Sequence, residues 1–171
     1  IIEHVYRATA SVNSKNIICV LGNSPQQLKD FIQKNKIKSV DQKNPCGTAD
    51  AVKTAISSMP VNKNNKILIL CGDVPFISPV TLKKMISKLD NSDLCLGTYM
   101  QENPTGYGRI IRNNKKIVGI IEEKDADSKI KKINEINTGI ICVNEGVLRK
   151  FIGKIKNNNK QKEYYLTDII K

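Results

Sequence analysis

The chain has 171 residues, with 28 Lys and Arg against 16 Asp and Glu, a formal net charge of +12 and a single histidine. That length suits one domain with a real core, no apolar run approaches the ~20 residues that cross a bilayer, and no charged-then-apolar leader opens the chain, so a cytoplasmic, soluble protein with no membrane partner is expected. The lysines are scattered among asparagines and isoleucines, as in Lys34-Asn35-Lys36-Ile37-Lys38, and aromatics for base stacking are few, which argues for compositional bias and against a nucleic-acid partner.

Taken in chain order, Ile1–Val12 reads as a helix and Ile17–Leu21 as a short β-branched strand. Ser24-Pro25 then opens a helix over Gln26–Asn35, a cap residue followed by proline at the first helical position. Thr48–Met59 has helical spacing in Ala51, Val52, Ala55, Ile56 and Met59. Ile67–Cys71 is a second strand, and Ser78-Pro79 starts a helix running to Leu89. Leu94–Tyr99 and Ile136–Val143 are further apolar strands of the kind covered on both faces, and Val147–Ile155 is a last helix. Between them, Arg109–Arg112 and Lys116–Ile121 form a hairpin joined by Asn113-Asn114, followed by a charged surface segment over Lys124–Asn134. The alternation predicts an α/β fold, a mostly parallel mixed sheet flanked by helices with an inserted antiparallel hairpin. Cys19, Cys46, Cys71, Cys95 and Cys142 lack zinc-site spacing and are expected to be buried free thiols.

The run Leu68-Ile69-Leu70-Cys71-Gly72-Asp73-Val74-Pro75 carries the sharpest chemical signal. A strand that ends in one carboxylate at the edge of an open α/β sheet offers oxygen to a hard cation shared with substrate phosphates, so Asp73 is a candidate Mg²⁺ ligand. The same residues on their own equally suit a plain turn.

Five stretches together resemble one family. They are Gln42 followed by Gly47-Thr48-Ala49-Asp50-Ala51; Gly72-Asp73-Val74-Pro75; Pro104-Thr105-Gly106-Tyr107-Gly108-Arg109-Ile110; Glu135-Ile136-Asn137-Thr138-Gly139-Ile140; and Glu163-Tyr164-Tyr165-Leu166-Thr167-Asp168. In order and spacing they resemble the uridyltransferase domain of the bacterial bifunctional enzymes that make UDP-N-acetylglucosamine, which have a Rossmann-like nucleotidyltransferase fold. The resemblance implies that Gln42 reads the uracil edge, an amide giving both donor and acceptor, while Gly47 and Thr48 bring backbone close to the nucleotide. Cys46 and Asp50 depart from the usual family residues there. On the sugar side it implies Gly108, Glu122 and Asn137, with Tyr107 and Thr138 beside them, and Tyr165 and Thr167 near the sugar phosphate. Gly72 and Asp73 complete the set, Asp73 as the catalytic metal ligand. Glu123, the neighbour of Glu122, is expected to face water.

The reaction so implied transfers uridylyl from UTP to N-acetylglucosamine 1-phosphate with Mg²⁺ as cofactor. A phosphate monoester with its second pKa near ~6 is already ionised at neutral pH, so no general base is needed. His4, in the first helix, is expected to be a partly exposed helix residue, and no Ser-His-Asp or Cys-His set supports covalent catalysis. The resemblance further implies that residues 1–171 form a partial domain, starting after the family's first strand and its glycine-rich phosphate loop and stopping before a β-helix acetyltransferase domain that makes the whole protein a homotrimer. A piece without its central strand is expected to be poorly stable and inactive alone. Two other readings stay open: a non-catalytic nucleotide-sugar binding module, and a related nucleotidyltransferase acting on another sugar phosphate.

Overall fold

The computed structural model describes residues 1–12 and 16–170. Its elements run α1 (Ile2–Ala10), β1 (Ile18–Leu21), α2 (Gln26–Lys34), β2 (Lys38–Asp41), α3 (Thr48–Ser57), β3 (Lys66–Ile69), α4 (Pro79–Lys88), β4 (Leu94–Met100), β5 (Arg109–Asn113), β6 (Lys116–Ile121), β7 (Glu135–Asn144) and α5 (Glu145–Ile152). Short 3-10 turns lie at Ile130–Lys132 and Leu166–Ile170.

β7 organises the molecule. Its residues Ile141 and Val143 point to one face, where they pack with Ala49, Val52 and Ile56 of α3, Leu148 and Ile152 of α5, and Leu166. Ile140 and Cys142 point to the other face and pack with Ala8 of α1 and Leu82, Met85 and Leu89 around α4. Covering on both sides explains why this strand is apolar without alternation. Each of these fully buried aliphatic side chains contributes roughly 1.5–3 kcal/mol of burial free energy, so the helices are held mainly through this one strand.

Both edges of β7 are used. β4 pairs antiparallel along one edge, from Leu94 opposite Val143 to Met100 opposite Glu135. On the other edge β3 pairs antiparallel with residues Ile141–Asn144 and β5 meets Ile136. β5 and β6 complete the five-stranded sheet as a hairpin, strapped to β7 by Arg112, whose Nε and Nη2 donate to Glu135 at 2.7 and 2.6 Å. β1 and β2 form a separate parallel pair.

The α/β fold and the mixed sheet agree with expectation, but the balance of pairing does not. Among the described residues, β1–β2 is the one parallel pair, against the antiparallel pairs β3–β7, β4–β7, β5–β6 and β5–β7. β3 and β4 do run in the same direction, with antiparallel β7 lying between them. A continuous apolar run reports burial on two faces and carries no information on strand direction.

Smaller corrections have local causes. Pro25 is the cap residue of α2 instead of its first helical residue, and no side chain caps it. The Ser78 cap of α4 is formed as expected, its hydroxyl accepting from Thr81 N at 3.1 Å, with proline next. The hairpin turn sits one residue later than expected, at Asn114-Lys115, because Asn113 pairs with Lys116 and Asn114 takes φ 54°, which asparagine tolerates. Strand β2 escapes the sequence pattern because Lys38-Ser39-Val40-Asp41 has a single apolar residue on an edge strand. All five cysteines are free as expected, yet only Cys142 is buried, while Cys46 and Cys71 are exposed because they lie in loops beyond the strand ends. No helix among the described residues is long and apolar enough to cross a membrane.

Candidate active site

Among the described residues, the edge of β7 shared by β3 and β5 has no strand partner between them. β3 stops at Ile69, opposite Ile141, and β5 begins at Arg109, opposite Ile136. In the interval Asn137 N donates to the Gly108 carbonyl at 2.8 Å, and the Cys71 thiol lies 4.0 Å from the Gly139 carbonyl. The chain after β3 therefore turns away just where the β5 entry begins. Gly72 with Asp73, Gly108 and Asn137 come from three separated stretches and meet around this gap.

Glu122 reaches the gap from the end of β6. A Cβ on Gly108 would lie 2.9 Å from Glu122 Oε2 and 3.0 Å from Ile120 Cγ2, so only glycine leaves this side chain its place. Thr167 Oγ1 donates to Glu122 Oε1 at 3.0 Å. Burial raises the Glu122 pKa above the usual carboxylate range, Thr167 opposes that rise, and Asp125 and Asp168 add to it. Although Cys71 is exposed as a residue, its sulfur turns toward the Gly139 carbonyl and its thiol is pushed up by partial desolvation and by the charges of Asp73 and Glu122, which places both carboxylates in its electrostatic neighbourhood.

Other sugar-side candidates are committed to backbone. Asn137 Oδ1 accepts from Gly139 N at 3.0 Å, a local turn that its strand position did not reveal. Thr138 Oγ1 donates to the Gly97 carbonyl of β4 at 2.7 Å, on the opposite edge of β7 from the gap. Tyr107 is exposed, at the end of a turn in which its N–H donates to the Pro104 carbonyl. Tyr165 is buried, and its hydroxyl accepts from Gln161 Nε2 at 2.7 Å; burial raises its pKa. Gly72 packs against α1, where a Cβ would lie 3.1 Å from Ile2 Cδ1.

The nucleotide-side candidates gather at the start of α3. Gln42 Nε2 donates to Asp50 Oδ2 at 2.7 Å and to the Gly47 carbonyl at 3.2 Å, so Asp50 orients the amide and, among the described residues, its carbonyl oxygen has no donor. Gly47 has φ +119°, and a Cβ there would lie 2.6 Å from the Tyr164 carbonyl oxygen. Its glycine is thus required by the protein's own backbone, whatever ligand approaches it. Thr48 Oγ1 accepts from Leu166 N at 3.0 Å, Ala49 N donates to Tyr164 O, and Tyr164 N donates to Cys46 O. These bonds tie both halves of the candidate site together, since the same segment carries Thr167.

Asp73 is exposed and makes no hydrogen bond or ion pair with another described residue. No group of three or more His, Cys, Asp or Glu among the described residues could hold a metal ion. A single free carboxylate still fits a hard cation that keeps waters and arrives on phosphates. A cavity of about 410 Å³ lies elsewhere, between α3 and the chain after α5, lined by Asp50, Lys53, Ile152, Lys156, Asn157 and Tyr164 among others, and it contains none of the candidate residues.

Sequence reasoning missed two buried ion pairs. Arg109 is 1% exposed and pairs with Glu123 at 2.8 Å, so Glu123 does not simply face water. Glu145 is fully buried, with Arg149 Nε at 2.6 Å, Asn65 Nδ2 at 2.8 Å and Asn62 N at 3.2 Å around it. An arginine opening an apolar strand, and a Glu-x-x-x-Arg spacing on the last helix, are the signals that could have pointed to them.

Comparison with known proteins places the chain as a whole. The chain is 43% identical over 171 residues to bifunctional protein GlmU of Francisella tularensis subsp. novicida, and equally to that of subsp. holarctica. Each match covers 99% of this chain and 37% of the relative, so the chain spans little more than a third of those proteins. The fold resembles a putative glucose-1-phosphate thymidylyltransferase from Bacillus anthracis, with TM-score 0.74, 18% identity, and 98% and 67% of the two chains covered. It also resembles a UDP-glucose pyrophosphorylase complexed with UDP-glucose, with TM-score 0.69, 14% identity, and 99% and 73% covered. The family described as nucleotidyl transferase matches residues 1–171, the whole span that carries the gap beside β7 and its carboxylates, and the chain belongs to that family.

Proposed function

We propose that this chain contributes the uracil and sugar sides of an enzyme that transfers uridylyl from UTP to N-acetylglucosamine 1-phosphate, releasing pyrophosphate. The observation that carries the reading is the meeting of Gly108, Glu122, Asn137 and Asp73 from separate stretches at one gap in the sheet, in a chain 43% identical to proteins named as bifunctional GlmU.

In this reading one oxygen of the sugar phosphate attacks the α-phosphorus of UTP. One P–O bond forms, the bond to the bridging oxygen of pyrophosphate breaks, and no proton need be removed first. Glu122, when ionised, accepts from sugar hydroxyls, and the glycine at 108 leaves room for it. Gln42, oriented by Asp50, presents its carbonyl oxygen to the N–H of the uracil ring. Asp73 would hold Mg²⁺, which neutralises charge on the phosphates when bound. The chain's remaining contribution is alignment of the two substrates.

The experiment is a pyrophosphate-release assay on the complete protein as the cell makes it, with UTP and a panel of sugar 1-phosphates, with and without Mg²⁺. Turnover confined to N-acetylglucosamine 1-phosphate supports the reading. Preference for another sugar phosphate replaces the substrate, and tight UDP-N-acetylglucosamine binding without turnover replaces the enzyme by a binding module.

A further inference from the structure

Two consecutive glutamates end the β6 strand region, and they leave in different directions. Glu122 goes to Gly108 and Thr167, while Glu123 turns to Arg109, whose Nη2 lies 2.8 Å from Glu123 Oε2. The Arg109 side chain is 1% exposed and the Glu123 side chain 24%, so this pair is shielded from water to a degree that surface pairs are not.

The pair also holds backbone. Arg109 Nη1 donates to the Tyr107 carbonyl and Nη2 to the Lys131 carbonyl at 3.4 Å, while Glu123 is held below the usual carboxylate range first by Arg109 and, to a lesser degree, by the neighbouring Gly106 backbone. Lys131 Nζ approaches Glu123 Oε1 at 3.5 Å. The loop Pro104–Gly108 is therefore gripped at the Tyr107 carbonyl by the base, with the acid that pairs this base lying beside Gly106. Gly106 has φ +89° with no atom near its absent side chain, so the turn itself offers no packing to fix it. Among the described residues Arg109 Nε and Glu123 Oε2 are both buried without a hydrogen-bond partner, so the pair is held by charge and by the backbone carbonyls that Arg109 binds, at a cost in unsatisfied polar atoms.

We infer that Arg109 and Glu123 are positioning residues that clamp the Pro104–Gly108 loop and so set the Gly108 backbone and the Glu122 carboxylate for the sugar half of the substrate. This rests on the function proposed above. Among the described residues Arg109 and Glu123 make no hydrogen bond or ion pair with Gln42, Gly47 or Thr48, and their one link to that side is indirect, through Glu122, Thr167 and the Leu166 N–H bond to Thr48, so their loss falls mainly on the sugar substrate.

The test uses steady-state kinetics of the complete protein with Glu123→Gln, which removes the charge with little change of shape, and Arg109→Lys, which keeps the charge and loses the fork. In both, KM for the sugar phosphate rises about tenfold or more, while KM for UTP stays within about twofold of wild type. Equal changes in both constants, or none in either, overturn the clamp. Hydrogen exchange at the Tyr107 amide, which donates to the Pro104 carbonyl at 3.2 Å, gives a second reading: it speeds up about tenfold in Glu123→Gln if the clamp exists and is unchanged if it does not. If Arg109→Lys fails to fold, Glu123→Gln alone decides. If wild-type protein turns over no N-acetylglucosamine 1-phosphate, the functional reading fails by itself, and the exchange measurement still decides whether the clamp exists.

Discussion

Thr167 Oγ1 donates to Glu122 Oε1 at 3.0 Å, joining the end of β6 to the last turn of the chain across 45 positions of sequence. The bond fixes a carboxylate whose pKa is raised, chiefly by burial. In the pH window between the ordinary carboxylate value and the raised folded value, the folded protein keeps a proton that the unfolded chain has released. Stability therefore falls as pH rises through that window. Glu122→Gln removes the fall and keeps an oxygen for Thr167 to bond. Its melting temperature is expected to exceed wild type at neutral pH and to converge with it toward the ordinary carboxylate value of ~4.3, while sugar-phosphate binding is lost. Thermal melts across pH, with and without substrate, check both halves.

Glu145 has the opposite sign. Burial pushes its pKa up, but Arg149, the Asn62 N–H and the Asn65 amide outweigh burial and hold it below the usual value. The stability it contributes is complete above the unfolded pKa and is lost as pH falls through the lowered folded value. Glu145→Ala leaves Arg149 with the Ile56 carbonyl at 2.8 Å as its close partner and frees the loop at Asn62–Asn65, and is expected to cost about 3 kcal/mol in urea melts at neutral pH.

Gly47→Ala tests a glycine held by the protein itself. The new Cβ would meet Tyr164 backbone at 2.6 Å in a conformation with φ +119°. Destabilisation of about 1–3 kcal/mol is expected without any nucleotide present, together with faster amide exchange at Ala49, whose N–H bonds Tyr164. Stability equal to wild type, with loss of nucleotide binding alone, would make the glycine a ligand contact only.

Asp73→Asn separates fold from chemistry. Since Asp73 is exposed and unbonded among the described residues, the melting temperature should stay unchanged. Under the proposed function, turnover with Mg²⁺ should fall about 100-fold in the complete protein. A variant as active as wild type would remove Asp73 from the metal site.

Much of this architecture was legible because burial writes itself into side-chain type. The runs that became β3, β4 and β7 are apolar since helices or strands cover them, and the Ser78-Pro79 start and the Asn114 turn are local chemistry. Strand direction was not legible, because an antiparallel β7 between two co-directional neighbours has the same composition as a parallel strand. Nor was β2, which is polar on an edge. Within the site, Gly108 and Glu122 came from the family resemblance and Asp73 from its place at a strand end, but the different partners of Glu122 and Glu123 depend on where Arg109 sits after folding. That is a contact between β5 and the segment after β6, invisible to a reading along one dimension. The second reason for Gly47, its collision with Tyr164, lies more than a hundred positions away and was hidden for the same cause.

Gly97 and Thr138 face each other across β4 and β7 as a lock of fixed volume: a Cβ on Gly97 would lie 2.6 Å from Thr138 Oγ1, and 3.3 Å from Ile140 Cβ. Position 97 is not free to mutate alone, and position 138 is free only to shrink. A side chain at 97 becomes tolerable only after 138 has shrunk, and a larger residue at 138 has nowhere to go while 97 is already at its minimum. Lineages of this domain should therefore change the two sites in a set order, with 138 moving first, and an orthologue carrying alanine at 97 beside threonine at 138 should be rare or show a shifted β4.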